Sequence, residues 1–161
     1  MLRTAAWTAF VDSVAASARQ AGVFGEVTIR DGMLEAAASG SGSPAYYRVS
    51  HESGRVWVSL VMADRYLSQS IEQDLVHTGD KLADLLEEEL VDLDYPKLGH
   101  ASPTLAVEHF RDEGKLFTFR SVLPIDASQL ADARSRETAR IVLLAYEAMF
   151  RRLGDMEAGT E

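Results

Sequence analysis

Four histidines are the side chains of this sequence that could bind a metal ion or transfer protons near neutral pH. They are His51, His77, His100 and His109. No two of them have the spacing that places a pair of metal ligands on one helical face, and no carboxylate stands in a ligand register with them. We therefore predict neither a metal nor another cofactor, while a site assembled from distant positions stays open.

Three consecutive glutamates, Glu87 to Glu89, could suggest a pair of carboxylates for general acid and base catalysis. Successive residues of a helix point about 100° apart, so these side chains cannot converge on one substrate. Such catalysis also needs one carboxyl group to be desolvated. We expect the three glutamates to form a solvated helical face instead.

Covalent catalysis and phosphate binding also lack their usual motifs. The chain has no cysteine, which excludes a thiol nucleophile, thiolate metal ligands and disulfides. No serine stands in the Gly-x-Ser-x-Gly pattern of a nucleophile elbow. The Gly40-Ser41-Gly42 run lacks the lysine and the following helix of a phosphate-binding loop. These motifs predict no catalytic residue.

The formal net charge is −9, and most of it lies in one segment. Residues 63–99 hold ten acidic residues and three basic ones. A nucleic-acid surface needs clustered lysine and arginine, so we expect no nucleic-acid partner. No stretch approaches the roughly 20 apolar residues of a membrane span, so we expect no membrane partner either.

The elements that would position a site begin with a helix over residues 4–20, which Gly22 ends. Its apolar residues recur at helical spacing, which favours an amphipathic helix over a signal peptide: Trp7, Phe10, Val11, Val14 and Ala18. Together with the lack of cysteine, this predicts a cytoplasmic protein.

Two hairpins follow the first helix. Strands over 25–30 and 33–38 are joined by Asp31-Gly32, the strongest hairpin signal of the chain. Strands over 45–51 and 55–62 are joined by the turn at 52–54. Strands joined by such short turns must be antiparallel.

The second half of the chain predicts a long helical segment, a third hairpin and a last helix. The helical segment covers 64–93 in two pieces, with Thr78 as the cap of the second. The third hairpin has strands over 104–110 and 116–123. The last helix begins at Asp126 or Ser128, and Gly154 ends it after Leu153.

These elements predict an α+β fold in which helices cover an antiparallel sheet of about five strands. The order is α-β-β-β(-β)-α-β-β-α, in two layers. We expect one domain over residues 1–154 and an acidic, disordered tail over 155–161.

The order of elements resembles the small chaperone fold of the class I type III secretion chaperones. The fold is shared by a family of bacterial sensory transduction regulators. The closest local likeness is the stretch Lys115 to Asp126, in which a strand ends in Leu-Pro-Ile and the long helix begins directly afterwards. The resemblance implies a homodimer that binds protein segments without nucleotide or metal.

The apolar residues of two elements are candidates for binding. Trp57 and Val61 share the second face of a strand that is apolar on both sides, so they are either core or a partner-binding patch. Leu82, Leu85 and Leu86 form a helical stripe that is either core or a dimer seam.

We therefore expect a non-catalytic protein- or peptide-binding module that resembles a small, acidic, homodimeric chaperone. A sensory or regulatory adaptor subunit of the same fold is the first alternative. A ligand-binding enzyme with a site between the sheet and the central helices is the second. A deep pocket with a histidine and a carboxylate in hydrogen-bonding reach would favour the enzyme.

Overall fold

The computed structural model of the protein describes residues 5–38, 45–62, 82–100, 105–111 and 117–158. In these ranges the helices are α1 (Ala5–Ala21), α2 (Leu82–Asp92) and α3 (Ala133–Ala158). The strands are β1 (Phe24–Arg30), β2 (Met33–Ala38), β3 (Ala45–Glu52), β4 (Arg55–Met62), β5 (Glu108–Arg111) and β6 (Phe117–Val122). Two short 3-10 helices cover Tyr95–Leu98 and Ala127–Gln129.

The six strands of the described residues form one antiparallel sheet in the order β1-β2-β3-β4-β6-β5. The predicted α+β class and the order of the elements are confirmed. The sheet has six strands where about five were expected, because all four strands before α2 pair in it. Since β6 pairs with β4, the short strand β5 becomes one edge of the sheet and β1 becomes the other.

Two-residue turns close the β1–β2 and β3–β4 hairpins with the same backbone conformation. The values of φ are 55° and 74° at Asp31 and Gly32, and 55° and 75° at Ser53 and Gly54. Positive φ at both central residues is typical of the type I′ turn, whose twist matches that of the flanking strands. Both predicted turns are confirmed, and they determine the register of the two hairpins.

One face of the sheet carries the core, and all three helices contribute to it. The strand residues in the core cluster are Val27, Leu34, Ala36, Ala45, Tyr47, Val49, Val56, Val58, Leu60, Met62 and Phe119. The five residues of the predicted stripe on α1 are all buried in the same cluster. This helix ends at Ala21, and Gly22 follows with φ of 71°, as its predicted role as a helix stop requires.

The last helix begins later than the sequence predicts. Asp126 precedes a 3-10 turn rather than α3 itself. Its backbone N–H lies 3.4 Å from Gln129 Oε1, and its carbonyl oxygen accepts the Gln129 N–H at 2.8 Å. This local pairing closes a separate turn, so the α-helix starts only at Ala133.

The last helix also ends later than predicted. It runs through Gly154 to Ala158. A glycine inside a helix costs only about 1 kcal/mol relative to alanine, and good helix formers stand nearby on both sides, namely Leu153, Met156 and Glu157. Gly154 is therefore not the end of the helix, which includes residues 155–158 of the predicted disordered tail, and disorder stays a prediction for 159–161.

Several predicted features lie outside the described residues. They are the first piece of the central helical segment, Thr78 and the turn that joins β5 to β6. The second piece of the central segment is α2, which begins at Leu82 and ends at Asp92. Among the helices of the described ranges, none combines the length and the apolarity that a membrane crossing needs.

Candidate functional site

His100 follows α2 in the chain and contacts the first turns of α3. Its Nδ1 lies 3.1 Å from Arg134 Nη2, and its Nε2 lies 2.7 Å from Thr138 Oγ1. A guanidinium can only donate, so Nδ1 accepts and the ring proton is on Nε2, which donates to Thr138. Thr138 Oγ1 donates in turn to the Arg134 carbonyl oxygen at 2.8 Å. Both ring nitrogens of a neutral His100 are therefore occupied.

The surroundings of His100 disfavour its charged form. Burial, and secondly the positive charge of Arg134, lower the pKa of His100 below its ordinary value. The ring of Tyr95 lies 5.4 Å from the His100 ring, between centroids. Burial raises the pKa of Tyr95, and Arg134 offsets part of that rise. His100 would lose its hydrogen bond to Arg134 if it accepted a proton. The hydrogen bonds of this cluster therefore favour a structural role, in which the segment after α2 is held against the start of α3.

A cavity of about 210 Å³ lies beside this cluster. Its lining residues are His100, Pro124, Gln129, Asp132 and Arg134. The histidine and the carboxylate that an enzyme site would need are both present, but the His100 nitrogens bond to Arg134 and Thr138 instead of Asp132. The hydrogen bonds therefore do not form the pair that would favour the enzyme alternative.

The other histidines do not complete a site in the described ranges. His51 packs its ring edge-on against Trp7 at 5.4 Å, and its Nε2 is buried without a hydrogen bond. His109 lies on β5, and His77 lies outside the described residues. Within the part of the chain that is described, no three potential ligands gather where a metal ion could bind.

The glutamate run of α2 diverges as predicted for a helix, but it is not uniformly solvated. Glu88 is exposed, whereas Glu89 exposes only 9% of its surface. The prediction that all three glutamates are solvated is therefore wrong for Glu89. Because one side of α2 packs on the core, some of its residues must face inward. The outer side of α2 carries an open depression of about 480 Å³, lined by Asp84, Glu87, Glu88, Val91 and Asp92.

The second face of the sheet, opposite the core, carries a row of polar side chains that crosses all six strands. Strand pairing places each member directly beside the next one. In order of the strands they are Thr28, Glu35, Arg48, Ser59, Arg120 and Glu108. We call these six residues the polar row. It lies between two rows that contain apolar and aromatic residues.

The polar row is held by ion pairs with partly buried partners. Arg48 Nη2 lies 3.0 Å from Glu35 Oε2, and the Glu35 side chain exposes only 9% of its surface. Arg120 Nε lies 3.3 Å from Glu108 Oε1, and Arg120 Nη1 lies 3.4 Å from Glu52 Oε2. Each arginine is thus oriented by at least one carboxylate.

Trp57 lies next to the polar row and is covered by it. The guanidinium carbon of Arg120 lies 3.9 Å from the centroid of the Trp57 ring. The indole Nε1 donates to the Glu52 carbonyl oxygen at 3.1 Å. Trp57 exposes 9% of its surface and Val61 exposes 4%, although neither belongs to the core cluster. Among the residues of this face whose exposure is described, Tyr46 is an aromatic side chain that reaches solvent, at 36% exposure.

The structure separates the predicted binding residues into two groups. Trp57 and Val61 lie on the second face, as β4 alternation predicts, but they are buried there instead of forming an open patch. Leu85 and Leu86 lie in the core of the single chain. Of the two roles predicted for their stripe, core or dimer seam, the structure gives them the first. Leu82 is the first residue of α2, and its side chain lies outside what the structure describes.

Sequence reasoning missed the arginines and carboxylates of the polar row. A partial signal was available, because the two short turns already imply the pairs Thr28 with Glu35 and Arg48 with Ser59. The registers of β2 with β3 and of β4 with β6 are not determined by a short turn. The row therefore becomes visible only in the assembled sheet.

Comparison with known proteins gives no match: no family model fits the chain, and neither a curated protein nor a solved structure is similar to it.

Proposed function

We propose that this protein is a non-catalytic protein- or peptide-binding module, cytoplasmic and homodimeric, which resembles a small acidic chaperone of the secretion type. The observation that carries the proposal is the second face of the sheet. There Arg120 lies over the Trp57 ring and is paired with the carboxylates of Glu52 and Glu108. Tyr46 is exposed on the same face, next to the polar row. Arginine and tyrosine, the two of these that reach solvent, are among the residues most enriched at the energetic centres of protein interfaces.

The arrangement of this face favours binding over chemistry. Its carboxylates and guanidinium groups are engaged with one another in ion pairs, which orient them. A preorganised surface loses little side-chain entropy when a partner arrives. The partly exposed arginines, at 24% and 21% side-chain exposure, can still offer donors to the carbonyl groups or carboxylates of a partner.

The charge distribution supports a protein partner. The outer side of α2 adds four carboxylates around the half-exposed Val91, and the whole chain carries −9. Such a surface repels nucleic acid and other polyanions and accelerates the approach of a basic partner. The association rate should therefore fall as the salt concentration rises, because salt screens the electrostatic attraction between the two proteins.

A photo-crosslinking amino acid in place of Tyr46 tests this proposal in the native host. We expect one protein to be cross-linked near stoichiometry, and its identity distinguishes a chaperone client from the folded partner of a regulatory adaptor. The matched control places the same group at Val91, which is also exposed but lies on α2. Equal cross-linking from both positions, or none from Tyr46, would contradict a partner site on the second face.

A further inference from the structure

Among the strands that the structure describes, β1 is an edge of the sheet, and none of them pairs with its side away from β2. In a hairpin with a two-residue turn, the pair next to the turn exchanges hydrogen bonds, and the pattern alternates from there. Arg30 with Met33 and Thr28 with Glu35 are then the bonded pairs. The backbone groups of Val27 and Ile29 consequently point outward. The contact of Arg19 Nη2 with the Val27 carbonyl oxygen, at 3.1 Å, agrees with this direction.

The outward side of β1 carries features that suit another strand. Ile29 exposes 40% of its surface, although it lies on the apolar side of the strand with Val27. Glu26 and Arg30 are exposed, and neither makes an ion pair within the part of the chain that the structure describes. Exposed apolar edge strands with free backbone groups are templates for strand addition.

The sequence of β1 is complementary to itself in the antiparallel direction. If two copies pair about Thr28, that threonine lies opposite Thr28 of the partner subunit. Val27 then lies opposite Ile29 of the partner subunit, and Glu26 lies opposite Arg30 of the partner subunit. Because the symmetry repeats each contact, the interface has two apolar pairs and two pairs of opposite charge.

The backbone pattern agrees with this same register. Val27 and Ile29 are the residues with outward groups, and the register places them opposite one another. Each such pair exchanges two hydrogen bonds, so the two-fold interface forms four. A register shifted by one residue would place backbone groups that point outward opposite groups that point toward β2, so the hydrogen bonds could not form. It would also move Arg30 away from Glu26 of the partner subunit. A shift of two residues would keep the hydrogen-bonding pattern but would separate Glu26 from Arg30 of the partner subunit, so the charges select one arrangement.

We propose that the protein dimerises through β1, which pairs with β1 of a second copy to give a continuous sheet of twelve strands. The proposal deepens the homodimer of the proposed function and rests on it. Arg19 is compatible with the interface, because the Val27 carbonyl oxygen has a second lone pair. The irregular register between Phe24 and Val27 limits regular pairing to residues 27–30, and Glu26 borders that stretch. The interface is consequently short.

Charge reversal tests the register. We expect Glu26→Arg alone and Arg30→Glu alone each to weaken the dimer about tenfold or more, because like charges then face each other. A mixture of the two variants should form a heterodimer, since every facing pair is again of opposite charge. Glu88→Arg, on the exposed side of α2, is the matched control and should not change the association. Light scattering and native mass spectrometry of the mixture report both results.

Cross-linking tests the two-fold axis directly in a chain that has no cysteine of its own. Thr28→Cys should form an intermolecular disulfide under mild oxidation, because opposed residues of a non-bonded antiparallel pair are close enough for one. Ser50→Cys, half-buried on the central strand β3, is the control and should not. Circular dichroism confirms that each variant is folded.

The outcomes separate this inference from the proposed function. A monomer at low micromolar concentration would overturn the β1 dimer, and so would a dimer that ignores both charge reversals. Neither result would affect partner cross-linking from Tyr46, which lies on β3. Heterodimer formation together with the Thr28 cross-link would establish the interface even if Tyr46 captured nothing.

Discussion

The guanidinium carbon of Arg120 lies 3.9 Å from the centroid of the Trp57 ring, on the sheet face opposite the core. The two residues come from neighbouring strands that are far apart in the sequence. Trp57 is buried although it lies outside the core cluster, and Arg120 is one of the groups that cover it. The stability of this face therefore depends on an arginine, and not only on apolar contacts.

Removing either partner of this contact should destabilise the protein. We expect Trp57→Ala to cost about 3 kcal/mol, as for other large aromatic truncations. Arg120→Gln should cost about 1–2 kcal/mol through the lost cation–π contact. The double variant should cost less than the sum, because the two changes remove a shared contact. Urea unfolding measures all three, and a negligible effect of Trp57→Ala would mean that the ring is exposed.

The ion pair between Arg48 and Glu35 should matter more than an exposed pair. Arg48→Met keeps the aliphatic stem but leaves a carboxylate with little solvent contact unpaired, so we expect a loss of about 1–3 kcal/mol. The control is Lys97→Met, which breaks the Lys97–Asp94 pair, whose side chains are 80% and 67% exposed. That change should cost less than about 0.5 kcal/mol. Equal losses would show that the polar row is no more than a solvated surface.

A buried hydrogen-bonded pair joins β6 to α3. Ser121 Oγ donates to the Ala106 carbonyl oxygen at 2.7 Å, so it must accept from the Tyr146 hydroxyl at 2.6 Å. Tyr146→Phe removes one bond and should cost about 1 kcal/mol, whereas Ser121→Ala leaves a buried hydroxyl unpaired and should cost about 2 kcal/mol. Chemical denaturation of both variants checks the order. The opposite order would contradict this assignment of donor and acceptor.

The His100 cluster should make stability depend on pH below neutrality. The folded-state pKa of His100 lies below its ordinary value, so the unfolded chain binds the proton more readily. Its contribution to stability is therefore complete above about pH 6.5 and declines as the pH falls toward the folded-state value. His100→Gln removes this titration and keeps the other histidines. The difference in unfolding free energy between wild type and variant should shrink on acidification, and a difference that grows would reverse the assigned sign.

The sequence by itself determined much of the local structure. The helical stripe of α1, its stop at Gly22 and the two type I′ turns follow from residue spacing and from backbone conformations that glycine allows. Those signals are local, because they act within a few residues. The α+β class follows from the order of such elements, and it could be predicted for that reason.

The ends of α3 were less predictable because they depend on competition between neighbouring structures. Asp126 was a good helix cap by type, yet it closes a separate 3-10 turn with Gln129. Gly154 was a good stop by type, yet the helix continues through it to Ala158. Asp126 tends to begin a helix and Gly154 tends to end one. At both positions the backbone hydrogen bonds of the neighbouring residues decided where the helix begins and ends.

Only the tertiary structure decided what the second face of the sheet contains. The sequence predicted that Trp57 and Val61 point away from Val56, Val58 and Leu60, because side chains alternate along a strand. It could not tell that Arg120 would cover the Trp57 ring or that Glu35 would meet Arg48. Those contacts join strands through registers that no short turn determines, so they exist only once the six strands have assembled.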